Sequence, residues 1–382
     1  LDATRLGLGF SDGYNVRIIA LGRDGRTVGQ AGPTSFLELD DGLTPDDSAV
    51  VDFAAGGADS VVVTDDGNGN QAVRRYDPGT GTYGANLATG NGFRLVGVAD
   101  HRAVVLHGAN VEVYDIQAAR LAGTAALGDY TPVGGRVDAT RHRAAILVHH
   151  NGDNADAVVA VDLATGTAGV PIAVDKTVAA GTYALIDLDQ KTGQVFVAKA
   201  GGGLICFAGG AGLVARVDLD TAAVTAADRA DGCAAALAVD DGADTAYQLS
   251  YRSFSVNING TTNLIPVAGD TLVSGAGIPV RQQPSLTLAV DGGHHLALVA
   301  FRTPPATPQF GAVGGLIFDN NATSQVVVVD LATGKTVGTV RGMNFTSGLV
   351  GPGPGRGVQL DPATRTGWTF SGDGHQVQQF SY

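Results

Sequence analysis

An all-β propeller of seven or eight four-stranded blades is the fold class this sequence predicts, and three observations carry the prediction. One hairpin phrase recurs: QVVVVDLATGKTVGTV at residues 325–340 and AVVAVDLATGTAGV at 157–170 share VDLATG letter for letter. Weaker copies are AVRRYDPGTGTYG from Ala72, VEVYDIQAARLAG from Val111 and LVARVDLDTAAVT from Leu213. A valine-rich run, an Asp–Gly turn and a second β-type run read as two antiparallel strands. The copies stand tens of residues apart, which is the signature of a repeat architecture. Third, the 56 glycines follow no Gly-X-Y period and sit between short β-type runs, where tight turns need φ > 0.

Taken in order, each unit reads as four strands, A to D. The A strand often ends in Asp before a short turn, as in VQLDPATRT from Val358 and LTLAVDGGHH from Leu286. The B strand follows at once, as GWTFS from Gly367 and LALVAF from Leu296, and then comes the C–D hairpin. C-type strands fall at 16–21, 72–77, 111–116, 158–163, 213–219, 254–258, 326–331 and 377–382, which makes eight. The two ends resemble each other (ATRLGLGFSDGYNVRIIAL from Ala3, ATRTGWTFSGDGHQVQQFSY from Ala363), so the first unit lacks a full A strand and the last lacks D. Pairing of the N- and C-terminal strands in one shared blade removes open sheet edges and gives seven blades; two incomplete units give eight. Either way, residues 1–382 form a single domain.

The phrases VVVVDLATGKTVGTV, VVAVDLATGTAGV and GRGVQLDPATRTGWTF resemble the YVTN-type β-propeller repeats of bacterial surface and secreted proteins. Lactonase-like and amine-dehydrogenase-like propellers carry similar phrases. The resemblance covers most of the chain, although the units at Val16 and Phe254 lack the DLATG turn. It implies the fold and a secreted or surface location. On function it is nearly silent, because what repeats is turn and strand chemistry.

A formal net charge of −13 argues against nucleic acid and against anionic membrane as general partners. With 44% hydrophobic and 16% charged residues, the chain has material for a core and does not read as disordered. No apolar run reaches the length of a membrane-spanning helix, and no signal peptide is visible; a start at Leu1 is what a processed chain shows, as would a trimmed one. The phosphate-loop pattern GxxxxGK[ST] is missing from the sequence.

Because strands alternate direction within a blade, A–B and C–D turns share one face, and B–C and D–A connections share the other. The first set is short and stereotyped: DPAT, DGGH, DQKTG, DLATG, DPGTG. The second is elaborated, at 201–212, 303–324, 31–47 and 343–355, and long loops on a rigid scaffold are where binding concentrates. Cys206 and Cys233 fall on this face in neighbouring units, where a disulfide is sterically reasonable and points to an extracytoplasmic compartment; two separate buried thiols are the alternative.

B strands finish in Asp65, His107, His149–His150, Lys199, Arg252 and Arg302, then Ser371, so five successive units offer a cation toward the elaborated face. Such a ring would concentrate an anionic ligand at the channel mouth, unless the side chains simply point outward into solvent. The A-strand entrances add Arg94, Tyr130, Arg136, Tyr183, Arg281, Gln283 and Arg356, which could grip a carboxylate, phosphate or sugar, or pair structurally with neighbouring Asp. A divalent cation such as calcium has candidate ligands in Asp65, Asp66, Asn68 and Asn70, or in Asp153, Asn154 and Asp156, although Asn/Asp/Gly loops are usually only turns. His107, His149 and His150 would have to converge from different blades to hold a metal.

The segment 303–324 joins three prolines, which disfavour regular pairing, to the apolar triplet Leu316, Ile317 and Phe318. Burying each such side chain is worth about 1.5–3 kcal/mol, so the segment is expected to fold onto the long-loop face as a partial lid, with Phe310 and Phe318 packed. An extra local strand is the alternative. The leading functional expectation is ligand binding or protein interaction through that face, with a small anionic ligand, a glycan or another protein as partner. A lactonase-like hydrolase or lyase at the channel mouth and a structural component of an envelope assembly are the alternatives.

Overall fold

Runs such as Val61–Val62–Val63 and Val326–Val327–Val328–Val329 are apolar on both strand faces because both faces are buried. Val327 and Val329 pack toward Leu249 and Leu264, while Val326 and Val328 pack toward Val358 and Phe380. The side-chain period of a strand is two, so an uninterrupted valine run means a sheet covered on each side. Seven four-stranded antiparallel sheets satisfy that need by stacking as the blades of a propeller.

The computed structural model describes residues 49–174 (save 79, 81 and 154), 183–199, 212–229, 233–252, 261–281, 287–302, 324–342, 358–371 and 376–382. It adds strand segments at 6–11, 16–21, 37–38, 309–310 and 316–317. Blades I to VI occupy residues 49–90, 93–126, 130–173, 183–229, 233–281 and 287–342. Blade VII combines Val358–Asp361, Thr366–Ser371 and Gln376–Ser381 with Leu37–Glu38 as its outermost strand, in the register Leu37 to Gln379 and Glu38 to Gln378. The blade number is therefore seven, and the ring is closed by pairing of the two ends of the chain. Among the described residues, helix is limited to a 3-10 turn at Gly57–Asp59.

Two expectations are corrected. Val16–Leu21 is not the third strand of a blade; it pairs with Leu6–Ser11 in a separate two-stranded sheet, which removes the eighth unit. The third strand of blade V is Thr261–Ala268 rather than 254–258, which lies outside the described residues. Pro266 inside that run hides it from sequence reading, since proline lacks the amide of a central strand. Here only the Pro266 carbonyl is used, accepting from the Gly275 amide at 2.9 Å.

The first strands of successive blades touch along the axis, and seven hydrophobic clusters fill the seven interfaces between blades. Polar side chains stitch the inner strands together. Asp52 of blade I accepts the Leu95 amide of blade II at 2.7 Å, and Asp187 of blade IV accepts the Val239 amide of blade V at 2.9 Å. Across the closure, Gln359 accepts the Ala55 amide at 2.6 Å and donates to the Phe53 carbonyl at 2.5 Å.

The short-turn face is held by a second recurring device. The residue just before the B strand has positive φ in blades II to VII: His101, His142, Gly193, Asp244, His295 and Arg365. In blades II, III, V, VI and VII its carbonyl accepts an amide from the end of that blade's third strand or just beyond, as when Leu163 donates to His142 at 3.0 Å. Its imidazole, where it is His, reaches a carboxylate of the preceding blade: His101 to Asp59 at 2.5 Å, His142 to Asp100 at 2.5 Å, His295 to Asp240 at 2.9 Å. In blade IV the residue is Gly193, and Arg141 of blade III covers it, donating to the Gln190 and Lys191 carbonyls.

Candidate functional site

Six of the seven second strands end, at the long-loop face, in the residues that sequence alignment assigns: Asp65, His107, His150, Lys199, Arg252 and Arg302; the seventh ends in Ser371. Each histidine there already has a carboxylate partner in its own blade. His107 Nδ1 lies 3.0 Å from Glu112, His149 Nδ1 2.9 Å from Asp156, and His150 Nδ1 2.7 Å from Asp153. Glu112 also accepts from the Tyr114 hydroxyl at 2.5 Å, and burial together with that carboxylate pushes the Tyr114 phenol upward. Lys199 is half-buried, and the side chains of Arg252 and Arg302 lie outside the described residues. Glu112 was not singled out from sequence, and Asp156 was singled out only as a calcium candidate; the signal was strand alternation, which puts Asp156 directly opposite His149 and Glu112 on the same face as His107, two residues along from its partner Asn110.

Of the inner-strand candidates, Arg94 donates to the Pro132 and Val133 carbonyls of the next blade, at 2.7 and 3.3 Å. Tyr130 opens the first strand of blade III and packs its ring 4.9 Å from His150. Tyr183 opens the first strand of blade IV, its side chain outside the described residues, as are Gln283 and Arg356 altogether. Arg281 is a correction in position: it ends the outermost strand of blade V, Ile278–Arg281, and so stands away from the axis. The inner strand of blade VI begins at Thr287, six positions after Arg281.

The loop after Asp65 is built as a pair of nested Asx turns. Asp65 accepts the Gly67 and Gly69 amides, and Asp66 accepts the Asn68 and Asn70 amides and the Asn70 side chain at 2.8 Å. Asp153 accepts the Ala155 amide and Asp156 is buried against His149; Asn154 lies outside the described residues. These calcium candidates thus spend carboxylate oxygens on their own backbone or on histidine. Among the described residues no three His, Cys, Asp or Glu gather as a metal site.

The 303–323 connection contains its own small hairpin, Gln309–Phe310 paired with Leu316–Ile317, so two residues of the triplet lie in a local strand. The side chains of Phe310, Leu316 and Ile317, and all of Phe318, lie outside the described residues, as does Cys206; Cys233 begins the first strand of blade V.

Two hollows are described. An axial cavity of about 510 Å³ is walled by the first strands of all seven blades and by short-turn residues including Asp241, Gly292 and Gly293. Its ionisable lining comprises Asp52, Asp241 and the pair formed by Arg136 Nε and Asp187 at 2.8 Å. Burial, then the charges of Asp189 and Asp240, push the Asp241 carboxyl up. On the long-loop face, a groove of about 520 Å³ lies between blades I and II, lined by Asn70, Arg74, Asn86, Thr89, Asn91 and His107 among others. Chemically, the first can take a proton or a positive charge, and the second can make many hydrogen bonds.

No family model matches the chain, and no curated protein matches it. Among solved structures it is similar to the β-propeller domain of Myceliophteria thermophila Cps50 (Swd1), with a TM-score of 0.58 and 9% identity, over 87% of this chain and 97% of that one. It is also similar to the computationally designed Ika8 protein, with a TM-score of 0.52 and 13% identity, over 100% of this chain and 94% of that one. At such identities the likeness establishes the propeller fold.

Proposed function

We propose that this propeller is a binding module that recognises a ligand or a partner protein through its long-loop face. One observation carries the reading: the two faces are built to different rules. On the short-turn face the connections are locked by aspartate, positive-φ residues and His–Asp pairs. On the other face the connections run through 200–211, 253–260, 303–323 and 343–357, far more chain than linking neighbouring strands requires. The YVTN-type phrases support an extracytoplasmic setting, and a Cys206–Cys233 disulfide would add to it, which intact mass before and after reduction tests.

The reading is tested by comparing two variants. One replaces 304–320 with a short Gly-Ser turn, and the other is His142→Ala on the short-turn face. Wild type is screened against an immobilised glycan array and, by thermal shift, against citrate, inorganic phosphate and glucuronate. Binding should weaken with the loop replaced and persist in His142→Ala. The opposite pattern would refute the assignment of faces.

A hydrolytic or lyase reading is favoured by the Asp241 carboxyl, pushed up by burial at the short-turn end of the axial cavity that also holds the Arg136–Asp187 pair. Lactone and ester hydrolysis by wild type that disappears in Asp241→Asn would establish it.

A further inference from the structure

We infer that the groove between blades I and II binds a neutral saccharide. The inference rests on the long-loop face being the recognition face, and it names the ligand class for that face. The groove's volume, about 520 Å³, falls in the range of small-ligand sites.

Its polar groups are already oriented. Asn86 Oδ1 accepts from Arg74 Nε at 2.8 Å, which settles that amide with its N–H pair as the donors left for a ligand. Arg74 is itself held over the Tyr83 ring, 5.1 Å from its centroid. Asn70 does the reverse: its amide nitrogen is spent on Asp66 at 2.8 Å, leaving the carbonyl as acceptor. His107 Nδ1 faces Glu112, and Glu112 is fixed in turn by the Tyr114 hydroxyl, so the ring keeps Nε2 as its polar atom for a ligand. The Phe93 ring, 4.5 Å from the His107 ring, holds that imidazole in place. Thr89 and Asn91, both exposed, add groups that donate and accept.

Fixed donors beside fixed acceptors match a sugar hydroxyl, which does both at one oxygen. Charge decides against the alternatives. The Asp66 carboxyl at the rim is held low, first by the Asn70 side chain and then by the Asn68 amide, and stays ionised. With Glu112 behind His107 and a chain charge of −13, an anion is repelled, while Arg74 in the wall opposes a cation.

The test is titration calorimetry with maltohexaose, cellohexaose, xylohexaose, mannohexaose and chitohexaose, with hexagalacturonate and a heparin hexasaccharide as anionic probes. At least one neutral hexasaccharide should bind. Asn86→Ala and Asn91→Ala should each weaken it about three- to tenfold, and together more, without moving the melting midpoint. Should Asn86→Ala lower that midpoint, Asn91→Asp and His107→Phe carry the comparison; His107→Gln, which keeps a polar group, should recover part of the affinity. Binding by no neutral probe, or tighter binding of the anionic ones, would overturn the inference. Sugar binding indifferent to these variants but lost when 304–320 is replaced would overturn the groove and leave the long-loop face standing. Sugar binding sensitive only to His142→Ala would remove both.

Discussion

At the residue scale, the histidines of the short-turn face act as latches between blades, and two of them carry a pH signature. The Asp100 carboxylate, by hydrogen bond and then by charge, raises His142; Asp240 does the same for His295. A pKa raised above the unfolded value near 6.5 means the protonated form is favoured by folding. That stabilisation is complete below about pH 6.5 and is lost as the pH climbs through the folded values. The melting midpoint of wild type should therefore fall between about pH 6 and pH 8.5, with a shallower fall in the double variant His142→Ala/His295→Ala. Equal slopes would show that these pairs do not contribute. A different residue offers a gain. Gln248, 1% exposed in the core between blades IV and V, has neither amide atom hydrogen-bonded among the described residues. Gln248→Met removes an unpaired buried amide at similar volume and should stabilise by about 1–2 kcal/mol, read from the denaturant midpoint.

At the scale of elements, the VDLATG turn explains why the repeat is legible. Asp162 accepts the Ala164 and Thr165 amides and the Thr165 hydroxyl, at 3.0, 2.8 and 2.8 Å, and Gly166 supplies a φ of +67°. Asp330, Thr333 and Gly334 repeat the arrangement. The Thr165 hydroxyl first, and the turn amides after it, hold the Asp162 carboxyl low; for Asp330 the Thr333 amide leads. A depressed pKa gives stability that is present above about pH 4 and lost as the pH falls through the folded value, so Asp162→Asn should flatten the acid limb of the stability profile. Gly166→Ala combines a left-handed backbone with a new Cβ 2.6 Å from the Gly123 carbonyl carbon of blade II. It should cost about 1–3 kcal/mol by denaturant titration. Local chemistry of this kind is written in consecutive letters, and so the hairpins, the second-strand ends and the difference between faces could all be read from sequence. What could not be read is which side chains meet one repeat apart: His142 and Asp100 are separated by 42 residues, His295 and Asp240 by 55. A recurring His directly before the second strand was the available clue. The groove escaped for the same reason, since Asn86, Asn91 and His107 belong to three different strands or turns. Thr261–Ala268 escaped because Pro266 masks a strand whose proline needs only to accept.

At the scale of the whole molecule, closure rests on few groups. Leu37–Glu38 pairs with Gln378–Gln379, Gln359 clamps Phe53 and Ala55, and Trp368 packs with Val50, Phe53, Val62 and Tyr76. Removing residues 1–40 should leave Gln376–Ser381 as a bare edge, lower the denaturant midpoint, and shift the protein toward oligomers on size-exclusion chromatography. A monomer of unchanged stability would show that the outermost strand of blade VII is dispensable.

The partners at this closure stand 304 and 306 residues apart in the chain, and that separation sets an order of events during synthesis. Blade I is made before blade VII, and the side of it that faces blade VII has nothing to pack on until Trp368 has emerged. Until blade VII is made the propeller is an open arc with an apolar flank on blade I, and the strands of blade VII convert it into a ring. Premature termination within blade VII would therefore release a sticky arc rather than a slightly smaller propeller.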